Sequence, residues 1–100
     1  MKGEALERNF QRSLIKEIKE RFPDSIVMKT DPNYIQGIPD LLVLNGSKWG
    51  MLECKKSANA THRPNQDYYV QKLAEMSFSR FIYPENKEEV LNDMEQAFRS

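Results

Sequence analysis

The residues best equipped for chemistry in this chain are Asp40, Glu53 and Lys55. Side chains on a β-strand alternate between faces. Glu53 and Lys55, two residues apart, therefore point the same way, and Cys54 points the other. Between Asp40 and Glu53 runs LLVLNGSKWGML: an apolar stretch, the turn signal Asn45-Gly46 and a return stretch. This reads as a β-hairpin whose pairing brings Asp40 beside Glu53 and Lys55. Two carboxylates and a lysine converging at one strand end can hold a hard divalent cation next to a scissile phosphate. The competing reading of Glu53 and Lys55 is an exposed ion-paired ladder. Apolar Met51 on the same face and Asp40 at a strand beginning speak against it.

Two further polar residues stand where apolar ones are expected. Leu6, Phe10, Leu14, Ile18 and Phe22 recur at helical spacing, and Glu7 falls in the middle of the stripe that the last four form. A carboxylate there needs a partner, because burying an unpaired charge is costly. A cation is one such partner, and a buried ion pair or a frayed first turn is the other explanation. Gln66 precedes Tyr69, Val70 and Leu73 at helical spacing, so its amide points inward, within reach of a carboxylate or Lys55. His62, the one histidine, reads as a loop residue or a phosphate contact before a metal ligand or base.

The elements that must position these residues follow from periodicity and punctuation. A first helix from about Glu4 to Phe22 is stopped by Pro23. Ser25 to Thr30 is a short strand. The polar loop from Asp31 to Gly37 leads into Asp40, with Lys29 and Tyr34 as candidate nucleic-acid contacts or ordinary connecting residues. Leu41 to Leu44 reads as a central strand covered on both faces, and Trp49 to Lys56 is its return strand. A polar loop to Arg63 ends at Pro64, which suits the first turn of a helix running to about Met76. Phe78 to Tyr83 is a last strand, reached by a crossover that makes it parallel to the return strand. Asn86 and Glu89 have capping-box spacing, and Val90, Leu91, Met94, Ala97 and Phe98 form the inner face of a final helix with an acidic outer face. The predicted class is α/β, in the order α-β-β-β-α-β-α.

One hundred residues make a single domain, 1–100, with room for one modest core and one site. Hydrophobic residues at 39% and charged residues at 30% fit a globular protein and exclude a disordered one. The net charge is zero, so there is no global basic signature for nucleic acid. Charge is nevertheless uneven: from Lys48 to Lys72, Lys48, Lys55, Lys56, Arg63 and Lys72 face only Glu53 and Asp67. A single cysteine excludes an intramolecular disulfide and a cysteine-based zinc site. The absence of a long apolar run or a leader-like N-terminus leads to the expectation of an intracellular protein with no membrane partner.

Pro39-Asp40 followed by Glu53-Cys54-Lys55 resembles the PD-(D/E)XK signature of metal-dependent nucleases. Gly37-Ile38-Pro39-Asp40 and the later Gln66 resemble its virus-type replication-repair (VRR-NUC) branch, and the resemblance runs from about Glu7 to the last helix. It implies a restriction-endonuclease-like core and a DNA nuclease in a bacterial or phage-infected cytoplasm. Asp40 and Glu53 would be ligands of Mg²⁺ or Mn²⁺, with the Cys54 backbone carbonyl adding an oxygen and Glu7 binding directly or through water. Lys55 would orient or help deprotonate the attacking water, and Gln66 would fix the geometry. Lys56, His62 and Arg63 join Lys29 and Tyr34 as expected nucleic-acid contacts. The implied substrate is branched DNA, with a four-way junction in the lead and a homodimer as the working unit. A monomer trimming flaps beside a helicase or other replication-repair protein is the alternative. Two further classes stay open: a nuclease fold that binds without cutting, and a small-molecule metal hydrolase. The intact Asp40, Glu53 and Lys55 set disfavours the first, and the open polar loops disfavour the second.

Overall fold

The computed structural model describes residues 2–100, with the backbone alone for Lys2 and Glu4. Its elements are α1 (Lys2–Arg21), β1 (Ile26–Lys29), β2 (Leu41–Asn45), β3 (Lys48–Cys54), α2 (Gln66–Met76), β4 (Phe78–Ile82) and α3 (Lys87–Arg99). The strands form one mixed sheet in the order β1-β2-β3-β4. β1 to β3 are antiparallel neighbours, and β4 lies parallel to β3 after the crossover through α2. The protein is therefore α/β. No helix among the described residues is long and apolar enough to cross a membrane.

Strand alternation divides the work of the two faces. Leu41 pairs with Leu52, and Cys54 pairs with Ile82. These residues and Val43 face α1 and α3, forming a core with Leu14, Ile18, Val90, Leu91 and Met94. Leu14, Leu52, Ile82 and Leu91 are at most 1% exposed, and each contributes roughly 1.5–3 kcal/mol by leaving water. Ion pairs stitch α1 to α3 around this core. The Arg21 guanidinium reaches Glu95 at 3.1 Å, and Lys87 reaches Glu17 at 2.7 Å.

The other face carries Met51, Glu53, Ser79 and Phe81, and α2 covers it only over β3 and β4. The expectation that Leu41–Leu44 is covered on both faces is thus corrected. Leu41 and Val43 are buried, but Leu42 and Leu44 are only half-buried, and Ile26 and Met28 beside them are exposed. One helix of three turns is too narrow to span four strands spaced by about 4.8 Å.

Local punctuation also differs in detail. Asn45 stays in β2 and pairs with Lys48, so Gly46-Ser47 make the turn, with φ +63° at Gly46. α2 starts at Gln66 rather than at Pro64; its N-cap, Asn65, adopts a left-handed conformation at φ 71°. Asn86 caps α3 without a side-chain bond to the helix. Its amide turns back instead, accepting from the Tyr83 N–H at 2.9 Å and donating to the Phe81 carbonyl at 3.2 Å. The capping box is replaced by a tie between strand and helix.

Candidate active site

Asp40 stands immediately before β2, where Thr30 fixes the backbone. The Thr30 hydroxyl donates to the Pro39 carbonyl at 2.7 Å, and the Thr30 N–H donates to the Asp40 carbonyl at 2.9 Å. The Asp40 carboxylate accepts the Cys54 N–H at 2.9 Å, which holds it against the end of β3. Glu53, 2% exposed, lies beside it on the face covered by α2. Lys55, just past β3, is also buried, and its backbone N–H continues the pairing with β4 by donating to the Ile82 carbonyl at 2.9 Å.

Gln66 ties these groups together from the first turn of α2. Its Nε2 donates to Glu53 Oε2 at 2.9 Å. Its Oε1 accepts from Lys55 Nζ at 2.6 Å and from the Arg63 N–H at 2.8 Å. Lys55 Nζ also donates to the Thr61 carbonyl at 3.1 Å. Two of the three ammonium protons are thereby fixed, and the side chain has one defined direction. The Thr61 carbonyl and the Arg63 N–H are backbone groups that side-chain spacing does not reveal.

The electrostatics set the two carboxylates against each other. Burial, with the Asp40 charge as the next cause, pushes the Glu53 carboxyl up to about 9, against the pull of Lys55. Burial also raises Asp40, opposed by the Cys54 N–H and by Lys55. Glu53 Oε1 is buried without a hydrogen-bond partner. The Asp40 carboxylate can serve it only if one of the pair carries a proton, because two carboxylates both accept. A cation would relieve the same conflict. Glu7, half-buried on α1, is raised as well, by burial first, with Lys55 lowering it and Asp40 raising it.

Glu7 lines a cleft of about 390 Å³ with Gly3, Lys55, Lys56, Ala60, Thr61 and Arg63. The fold therefore gathers Glu7, Asp40, Glu53, Lys55 and Gln66, and sets Lys56 and Arg63 on the rim. Among the described residues, no three His, Cys, Asp or Glu side chains form a ready-made metal cluster. What suits a hard cation is the pair of facing carboxylates and the unpartnered oxygen of Glu53.

Other predicted contacts lie apart from the cleft. Lys29 ends the outer strand β1, Tyr34 is 84% exposed, and neither lines the cavity. His62 is engaged within the fold: its ring stacks on Phe81 with centroids 4.1 Å apart, and Nδ1 meets Asp67 Oδ1 at 2.7 Å. The Cys54 thiol lies on the far face of β3, and burial raises it well above its usual range.

One backbone contact joins the two halves of the site. Gly37, at φ +94°, is pressed against Asn65 so closely that a Cβ there would lie 2.6 Å from the Asn65 Cβ and 2.8 Å from its carbonyl carbon. The segment leading to Asp40 is thus seated on the residue preceding Gln66. No protein-family model matches this chain, and no curated protein or solved structure matches it either.

Proposed function

We propose that this protein is a divalent-metal-dependent deoxyribonuclease with a restriction-endonuclease-like core of the VRR-NUC kind. The observation that carries this reading is the convergence of Asp40 and Glu53, both raised by burial, with a lysine whose direction is fixed by Gln66 and Thr61. Asp40 and Glu53 would hold Mg²⁺ or Mn²⁺, with Glu7 and the Cys54 carbonyl as further oxygens. Such a cation supplies acidification of a water and offsets charge on a phosphate. Lys55 presents its remaining proton toward the cleft, where it orients the attacking water or balances charge in the transition state. Gln66 keeps Lys55 and Glu53 at a fixed separation by bonding both. Lys56 and Arg63 on the rim attract the sugar–phosphate backbone.

The reading extends to branched DNA and to a homodimer, in which two sites could act on two symmetric strands. The apolar half-face left open by α2, with Ile26 and Met28 exposed, is surface that a second copy could bury. Cleavage of end-labelled linear, flapped and four-way DNA with Mg²⁺, set beside the mass in solution, tests each part. No cleavage of any substrate in Mg²⁺ or Mn²⁺ overturns the enzyme reading in favour of a non-cleaving binding module. Flap cutting by a monomer keeps the nuclease and overturns the junction and the dimer.

A further inference from the structure

We infer that the outer face of α1 is a docking ridge for the backbone of a nucleic-acid duplex, extending the footprint away from the cleft. Arg8, Arg12, Lys16 and Lys19 are all exposed. At 100° per residue they lie within an arc of about 80°, and at 1.5 Å per residue they span about 16 Å. That is the length over which one strand of a duplex presents about five phosphates. The chain is neutral overall, with 15 basic and 15 acidic residues, so this one-sided ridge reflects segregation of charge and not excess. Arg21, Arg80, Lys87 and Arg99, by contrast, are paired with acids on α1 or α3. None of the four ridge residues has an acidic partner among the described side chains.

Position favours nucleic acid as the occupant. Arg8 directly follows Glu7, which lines the cleft with Lys56 and Arg63, and its side chain lies about 100° further round α1, so the ridge runs along the flank of the helix that contributes Glu7 to the cleft. An anionic membrane surface is the poorer match, because the apolar stripe of the same helix is buried: Leu14 is 1% and Ile18 0% exposed. A helix that lies in a membrane interface needs that stripe free. The choice of a duplex as occupant rests on the nuclease reading; the ridge itself is independent of catalysis.

The test is equilibrium binding of a blunt duplex of about 30 base pairs (roughly two turns more than the ridge spans) in a metal chelator, across a salt series. Arg8→Gln/Arg12→Gln/Lys16→Gln/Lys19→Gln should lower the slope of log K against log salt by up to about 3.6, four contacts at about 0.9 each. The double variant Arg8→Gln/Arg12→Gln should lower it by about 1.8, which keeps the test decisive if the fourfold variant folds poorly. Arg8→Lys/Arg12→Lys preserves charge and should keep the wild-type slope. An unchanged slope in both Gln variants overturns the inference, as does wild-type protein that fails to bind the duplex. Binding to phosphatidylserine vesicles but not to duplex also overturns it. Cleavage in Mg²⁺ is read separately. Ridge-dependent binding without cutting refutes the proposed nuclease and keeps the ridge; cutting with ridge-independent binding does the reverse.

Discussion

The Lys55 ammonium donates to the Gln66 amide oxygen across 2.6 Å, in a position where both side chains are buried. The lysine is held by α2, not by a carboxylate. Its charge stays available to the cleft, and its aim depends on an amide whose other end is bound to Glu53.

Gln66→Ala should therefore disturb three groups at once: Lys55, Glu53 Oε2 and the Arg63 N–H. Leaving buried groups unpaired costs about 1–3 kcal/mol each when water cannot replace the partner. A lower denaturation midpoint and a roughly 10- to 100-fold loss of turnover are expected, the scale for a residue supporting a metal site. Wild-type turnover in a destabilised variant would limit Gln66 to a structural part.

Lys55→Ala should reduce cleavage at least about a hundredfold, the scale of one lost acid–base or electrostatic group. Calorimetric binding of Mn²⁺ should survive, since Asp40 and Glu53 remain. Normal turnover would show that Lys55 serves packing and charge balance alone.

The metal-free protein should be more stable at pH 5 than at pH 8.5. Glu53 titrates at about 9 in the folded chain against 4.5 ordinarily, so between those values the folded state holds a proton the unfolded state has lost. Stability is then full below the unfolded value and falls as pH rises through the window, by at most ~1.4 kcal/mol per pH unit for one proton. Glu53→Gln should flatten the slope and raise stability at pH 8.5. Urea melts of both proteins across this range measure it, and parallel curves would refute it.

Divalent cations should reverse that penalty. Mg²⁺ or Mn²⁺ should raise the melting temperature at pH 8 in proportion to the logarithm of its concentration above Kd. Ca²⁺, which also takes oxygen ligands, should stabilise without supporting cleavage. Both effects should vanish in Asp40→Asn. A cation-independent melting temperature in the wild type would remove Asp40 and Glu53 from metal binding.

Gly37→Ala should cost more than about 1 kcal/mol, since alanine is strained at positive φ and its Cβ would collide with Asn65. Activity should fall further than stability predicts, because the collision parts the segment before Asp40 from the start of α2. Turnover measured well below the melting temperature separates the two effects, and an active Gly37→Ala variant would show that the contact is incidental.

What the sequence makes legible here is whatever a side chain announces through its own spacing. The stripe of Leu14 and Ile18, the paired strands around Gly46 and the inward Gln66 follow from periods of 3.6 and 2. Coverage is different: Leu41 to Leu44 is uniformly apolar, but only the packing of α2 decides that Leu42 and Leu44 stay half-buried. Asn86 has the spacing of a cap and is captured instead by Phe81 and Tyr83, a competition no local rule ranks. His62 has the chemistry of a phosphate contact, and its stack on Phe81 is a long-range event. The Thr61 carbonyl and the Arg63 N–H belong to the backbone, which every residue shares, so no residue type marks them.

The packing of α1 against α3 also sets an order of events during synthesis. The core that receives Leu14 and Ile18 is completed by Val90, Leu91 and Met94. Until those residues leave the ribosome, the face of the sheet behind Cys54 has no full cover. At 5–20 residues per second, the roughly 40 residues from Cys54 to Met94 take about 2–8 s to make. Over that interval Asp40 and Glu53 exist without a closed core to hold them, and a nascent chain should have no catalytic turnover until α3 docks.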